Sequence, residues 1–156
     1  MSKISILIVD DELVLRESLA AWLERDGHQV ETAASGEEGL DRLMKKRFDI
    51  MLVDIKMEGM SGLTVLRKVK ETDPDVAVVM ITAFGSISTA IEAMKDGAQD
   101  YLLKPFDPNE LGLLVEKIVS QQAQERENLF LREDYKQRTR FESISVSPPP
   151  CNRYLR

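Results

Sequence analysis

Four short runs in this 156-residue sequence carry side chains that could do chemistry together: Asp10-Asp11-Glu12, Asp54, Thr82 and Lys104-Pro105. Carboxylates crowded at one place repel one another, and a hard divalent cation relieves that repulsion. Magnesium takes oxygen ligands and keeps several waters, so one or two carboxylates plus phosphate oxygens suit it. A carboxylate can also attack phosphorus and form an acyl phosphate. A lysine ammonium and a hydroxyl donor would then neutralise charge spread over the transferring oxygens. Together the residue types point to phosphoryl transfer onto an aspartate. Each run also has a plain structural reading. An acidic run commonly opens a helix, where the dipole favours it; a lone aspartate is often a turn residue, a threonine a cap, and Lys-Pro a loop. What separates these four from punctuation is that each follows an apolar run.

Those runs imply strands. Ile4 to Val9 is nearly continuously apolar, as expected of a strand covered on both faces. Gln29 to Thr32 is a weaker second strand, Ile50 to Val53 a buried third, Val76 to Ile81 a fourth and Tyr101 to Leu103 a short fifth. Helical spacing lies between them. Leu15, Leu19, Trp22 and Leu23 mark a first helix closed by Gly27; Ser35 caps a second carrying Leu40, Leu43 and Met44 on one face. Leu63, Leu66 and Val69 mark a third that ends before Pro74, and Ile87, Ala90, Ile91 and Met94 a fourth that stops near Gly97. The last helix opens at Asp107-Pro108 and carries Leu111, Leu114, Val115, Ile118 and Val119. Five βα units predict an α/β fold with a parallel sheet and helices on both faces. In such folds ligands bind beyond the C-terminal strand ends, where the four reactive runs fall.

The domain is expected to occupy residues 1–120. Past Ser120 the apolar stripe fades but nothing breaks the helix before about Arg138, so residues 121–142 are read as a helical linker that could dimerise. Leu129 and Leu131 are too few for a sustained coiled coil. Residues 143–156, with Pro148, Pro149 and Pro150, are expected to be a disordered tail. One cysteine, Cys151, allows no disulfide framework within one molecule and fits a reducing compartment. No apolar stretch approaches the roughly 20 residues of a membrane span, and the N-terminus lacks a signal-peptide pattern. A cytoplasmic location is therefore expected. A net charge of -6 argues against a nucleic-acid surface, and the cluster Lys136, Arg138 and Arg140 reads as a solvated face or linker. No Walker-type glycine-rich loop is present. His28 stands without a partner cluster, and Trp22 reads as a residue packed on the core.

The segments Leu7-Ile8-Val9-Asp10-Asp11-Glu12, Leu52-Val53-Asp54-Ile55-Lys56-Met57, Ile81-Thr82-Ala83 and Lys104-Pro105-Phe106 resemble the signature blocks of response-regulator receiver domains in bacterial two-component systems. The resemblance covers roughly Lys3 to Ser120. It implies a flavodoxin-like (CheY-like) doubly wound sheet of order 2-1-3-4-5, for which a chemotaxis receiver is a standard example. It implies Asp54 as phosphoacceptor, with magnesium held by Asp11, by Asp10 mainly through water, by Asp54 and by the Lys56 carbonyl. Lys104 would hold a phosphoryl oxygen, with a cis peptide before Pro105. Thr82 would move to bond the phosphoryl group, and Tyr101 would swing between exposed and buried positions. The implied phosphodonor is a sensor histidine kinase, and the implied protein is a switch and not an enzyme acting on external substrates.

The sequence also departs from the family pattern. Receivers often carry proline four residues beyond the acceptor, where this chain has Glu58. Phe84 occupies a position that tunes dephosphorylation, and its bulk would shield the acyl phosphate from water and lengthen its life. Segments such as Ile81-Thr82-Ala83-Phe84-Gly85, Gly97-Ala98-Gln99-Asp100-Tyr101 and Arg140-Phe141-Glu142-Ser143-Ile144 resemble regulators of the NtrC type. There, receiver and linker precede an ATPase that activates sigma-54 polymerase, so the chain is read as receiver plus linker. A homodimer through the linker helix or a receiver face is expected. One rival is a stand-alone receiver acting by partner binding. Another is a phosphohydrolase of haloacid-dehalogenase type, which resembles a pattern with a second aspartate two residues after the nucleophile; here that position is Lys56.

Overall fold

A computed structural model describes residues 3–83 and 87–145, with side chains described as far as residue 132. Five strands alternate with five helices: β1 (Ser5–Val9), α1 (Leu13–Arg25), β2 (Gln29–Ala33), α2 (Gly36–Lys45), β3 (Ile50–Asp54), α3 (Gly62–Thr72), β4 (Ala77–Ala83), α4 (Ile87–Lys95), β5 (Asp100–Lys104) and α5 (Pro108–Ser145). All strand pairs are parallel, in the order β2-β1-β3-β4-β5. This is the expected order.

Pleating turns successive residues of the central strands to opposite faces, and both faces are covered, so the strands are apolar on both sides up to their ends. Leu7, Val9, Met51, Val53, Val78 and Met80 join Leu43, Val65, Leu66, Val69 and Ala93 in one core cluster, on the side of α2, α3 and α4. Ile6, Ile8, Ile50, Leu52, Val79 and Ile81 are equally buried. By strand alternation they face the opposite layer, where Leu19 and Leu23 of α1 and Leu111, Val115 and Ile118 of α5 are buried. A side chain of this size contributes about 1.5–3 kcal/mol when fully buried, so both layers hold the sheet in place.

Local signals set the element ends. Ser35 Oγ accepts the Glu38 amide at 3.1 Å and caps α2. Gly27 follows α1 with φ 94° and Gly59 lies in the loop after β3 with φ 78°, conformations that side chains with a Cβ resist.

Two apolar stripes differ from expectation. Met44 is 80% exposed, because the buried line of α2 runs through Gly36, Gly39 and Leu43 and Met44 sits one residue off it. In α4 only Ala90 and Ala93 are buried, and Ile87, Ile91 and Met94 point largely to solvent. Helical period gives a direction; the small alanines, by allowing close approach to β4 and β5, decide which flank packs.

The chain divides into two compact units, residues 1–118 and residues 119–156. The first holds the sheet. In the second, α5 continues to Ser145 and exposes Leu129, Phe130 and Leu131. Residues 143–145, expected to open a disordered tail, belong to α5; the rest of that tail, from residue 146 onward, and the side chains of Lys136, Arg138 and Arg140 lie outside the described residues. Among described residues no helix is long and apolar enough to cross a membrane.

Candidate functional site

Strand register gathers the reactive residues. Val9 pairs with Val53, so Asp10 and Asp54 emerge side by side from β1 and β3. Asp54 pairs with Ile81, one residue before Thr82; Thr82 pairs with Leu103, one residue before Lys104. Thr82 and Lys104 thus lie within β4 and β5, not just beyond them as the pattern had suggested, and the sheet itself fixes their backbones.

Carboxylate oxygens of Asp10, Asp11 and Asp54 lie within 4.8 Å of one another. Asp10 is fully buried; its Oδ1 accepts the Glu12 amide at 2.9 Å, and its Oδ2 is buried with no partner among the described residues. Burial raises its pKa from 3.8 to about 6, opposed by the Glu12 amide and Lys104 and reinforced by Asp54 and Glu12. Asp11 is exposed, and its Oδ2 accepts the Glu58 amide at 3.2 Å. Asp54, 4% exposed, accepts the Lys56 amide on Oδ1 at 3.3 Å and faces Lys104 Nζ across 3.4 Å on Oδ2. Burial raises the Asp54 carboxyl above its ordinary value, and the Lys104 ammonium holds that rise back.

The donor set fits a hard divalent cation. A buried carboxylate oxygen without a hydrogen-bond donor costs free energy, and Asp10 Oδ2 is such an atom beside two more carboxylates. Asp10, Asp11 and Asp54 offer the oxygen ligands that magnesium prefers. Lys56, itself exposed, is placed in the adjoining loop by the hydrogen bond its amide donates to Asp54 Oδ1. The Lys104-Pro105 peptide is cis. Thr82 is 2% exposed, and its hydroxyl makes one long bond, 3.4 Å to the Ala83 carbonyl. Tyr101 is 39% exposed on β5, away from the buried set. Phe84 lies outside the described residues.

Two contacts were invisible in the motifs. Arg16 Nη1 donates to the Asp10 carbonyl at 2.6 Å, and the Glu58 amide donates to Asp11. The second had a signal in retrospect, since a proline at position 58 would have had no N–H to offer. Recesses elsewhere, about 430 Å³ beside Trp22, Asp26, Pro108 and Gly112 and about 600 Å³ beside Glu17, Glu24 and Glu31, include none of the clustered acids.

Residues 6–116 match the response regulator receiver domain family. The chain is 40% identical over 118 residues to the transcriptional regulatory protein ZraR of Salmonella typhimurium, covering 76% of this chain and 27% of ZraR. It therefore spans about a quarter of that relative's length. NtrX from Brucella abortus superposes with a TM-score of 0.81 at 32% identity, over 83% of this chain and 30% of NtrX. A CheY-like receiver domain protein from Methanospirillum hungatei gives 0.76 at 32% identity, over 80% of this chain and 99% of its own.

Proposed function

We propose, because the chain belongs to the response regulator receiver domain family, that Asp54 accepts a phosphoryl group from a phosphohistidine of a sensor histidine kinase. Receiver domains are phosphoacceptor signalling domains, and response regulators take their signals from such kinases. One observation carries the assignment of Asp54: it is the buried carboxylate at which the acid cluster and the Lys104 ammonium meet. An Asp54 oxygen attacks phosphorus, the P–N bond to the donor imidazole breaks, and the imidazole nitrogen takes up a proton. The product is an acyl phosphate on Asp54. Lys104, already 3.4 Å from Asp54 Oδ2, follows the charge onto the phosphoryl oxygens. Asp10, Asp11, Asp54 and the Lys56 carbonyl would hold a magnesium ion, which supplies further neutralisation of those oxygens.

The switch follows from the new charge. Phosphorylation adds roughly -1.5 to -2 charges and three acceptor oxygens. Thr82, whose only described side-chain bond is long, exchanges it for a phosphoryl oxygen, and the rearrangement passes along β4 and β5 toward Tyr101 and α4. Leu13 and Val14, exposed at the start of α1 close to Asp10, offer apolar contact to a protein donor. We read residues 1–120 as the switch in a cytoplasmic protein of the NtrC type, with residues 121–142 as a linker toward a sigma-54-activating ATPase. The exposed Leu129, Phe130 and Leu131 give that linker the apolar surface a homodimer would use. Neither DNA nor membrane contact is assigned to this chain. The stand-alone receiver remains the second reading, favoured by the full-length overlap with the Methanospirillum hungatei protein.

Phosphorus NMR after addition of phosphoramidate and magnesium tests the acceptor chemistry. An acyl-phosphate resonance that decays without continuing release of phosphate from p-nitrophenyl phosphate is expected. Steady turnover of that ester would instead place the chain with the phosphohydrolases.

A further inference from the structure

We propose that Arg16 is a positioning residue for the cation site, acting on the peptide that joins Asp10 to Asp11. The inference rests on the reading of Asp10 and Asp11 as cation ligands. Arg16 is half-buried in the first turn of α1, and its Nη1 reaches back six residues to the Asp10 carbonyl at 2.6 Å. A cation is electrostatically disfavoured at a helix N-terminus, so its presence there calls for a compensating contact. The start of α1 also needs help: Glu12, at the N-cap, makes no side-chain capping bond, and the first turn carries no acidic residue.

The rest of the turn shows what the contact does. The Asp10 amide is held by the Ala33 carbonyl at 3.1 Å and Oδ1 by the Glu12 amide at 2.9 Å. Arg16 fixes the Asp10 carbonyl, leaving Oδ2 as the polar atom without a partner. That carbonyl shares one rigid peptide plane with the Asp11 amide. Asp10 is fully buried, so removing the guanidinium strands a carbonyl away from water. Turning the plane toward another donor relieves this, and it shifts Asp11 relative to Asp10. Arg16 therefore sets the spacing of two carboxylates through the peptide between them.

The charge of Arg16 works the other way, since a cation near the site repels a second one. Position and charge predict opposite results, which makes the test decisive. Binding of Mn2+ is measured from the free-ion electron paramagnetic resonance signal, and of Mg2+ by calorimetry, on wild type, Arg16→Met and Arg16→Lys, with thermal unfolding in EDTA alongside. Partners that orient metal ligands typically change affinity about 10- to 100-fold when removed. Arg16→Met is expected to raise Kd for both ions about tenfold, and Arg16→Lys, which keeps a donor, to recover part of it. An unchanged Kd in a folded Arg16→Met, with only its unfolding temperature lowered, overturns the proposal in favour of a helix-stabilising role. A lower Kd in Arg16→Met overturns it in favour of simple charge repulsion. Should Arg16→Met not fold, Arg16→Lys decides alone: an unweakened Kd in that variant overturns the proposal, because a lysine cannot reproduce the guanidinium contact in full. Failure of wild type to bind either ion would instead remove the cation site itself.

Discussion

Replacing Asp10 with asparagine should stabilise the metal-free protein while removing its response to magnesium. Asp10 is fully buried with one carboxylate oxygen unpartnered, and its pKa is raised from 3.8 to about 6. A raised acid is one whose ionisation opposes folding. The stability associated with the neutral carboxyl is full below the unfolded value of 3.8 and is lost as pH rises toward 6. At about 1.4 kcal/mol per pH unit, keeping Asp10 ionised near neutral pH costs about 3 kcal/mol. The Asp10→Asn side chain escapes that cost and retains an oxygen for the Glu12 amide, but its Nδ2 needs a partner of its own, which returns about 1–2 kcal/mol. A net gain of about 1–2 kcal/mol in EDTA at pH 7.5 is expected, or about 4–8 °C for a domain of this size. At pH 4.5 wild-type Asp10 is largely protonated and its ionic cost falls to about 1 kcal/mol, so the advantage should vanish. Thermal unfolding followed by circular dichroism at both pH values, with EDTA and then with magnesium, measures all of this. Magnesium should raise the wild-type midpoint by mass action and leave the variant nearly unmoved. An Asp10→Asn protein no more stable than wild type at pH 7.5 in EDTA, or equally advantaged at both pH values, would mean that ionisation of buried Asp10 does not oppose folding.

Other outcomes follow from single contacts. Lys104→Ala removes the ammonium that holds the Asp54 carboxyl down, so the acid limb of phosphoryl uptake should move to higher pH and the initial rate from acetyl phosphate should fall about 100-fold. Thr82→Ala loses one long hydrogen bond among the described residues, so stability should change by under about 1 kcal/mol. It should still accept a phosphoryl group, but the NMR shift changes around Tyr101 seen on phosphorylating the wild type should be absent; their persistence would rule out Thr82 as the relay. Gly62→Ala would push a Cβ into the Asp54 carbonyl and the Ile55 backbone, where no flexible side chain can give way. A loss of at least about 3 kcal/mol by urea unfolding is expected, where alanine at an unobstructed helix position would instead stabilise by up to about 1 kcal/mol.

How far the sequence could be read depends on which atoms do the work. β1, β3 and β4 announce themselves because burial on both faces demands apolar residues, and the acids and the threonine then stand out at their ends, with the lysine at the end of β5. Parallel pairing does the rest, since Val9 opposite Val53 leaves Asp10 no place but beside Asp54. Depth of burial was less legible. Met44, Ile87, Ile91 and Met94 have helical spacing but sit on flanks that only the packed sheet distinguishes from the core. Backbone partners were least legible. The Asp10 carbonyl under Arg16 is a group every residue carries, so no residue type signals it, and the Glu58 amide on Asp11 is signalled only by a non-proline residue at that position.

Whether Asp54 is the phosphoacceptor is decided by intact-mass spectrometry after incubation with acetyl phosphate and magnesium. Wild type should gain one phosphoryl group, lose that gain when EDTA replaces magnesium, and Asp54→Asn should gain none. A wild type that stays unmodified, or an Asp54→Asn protein modified to the same extent, would contradict the account.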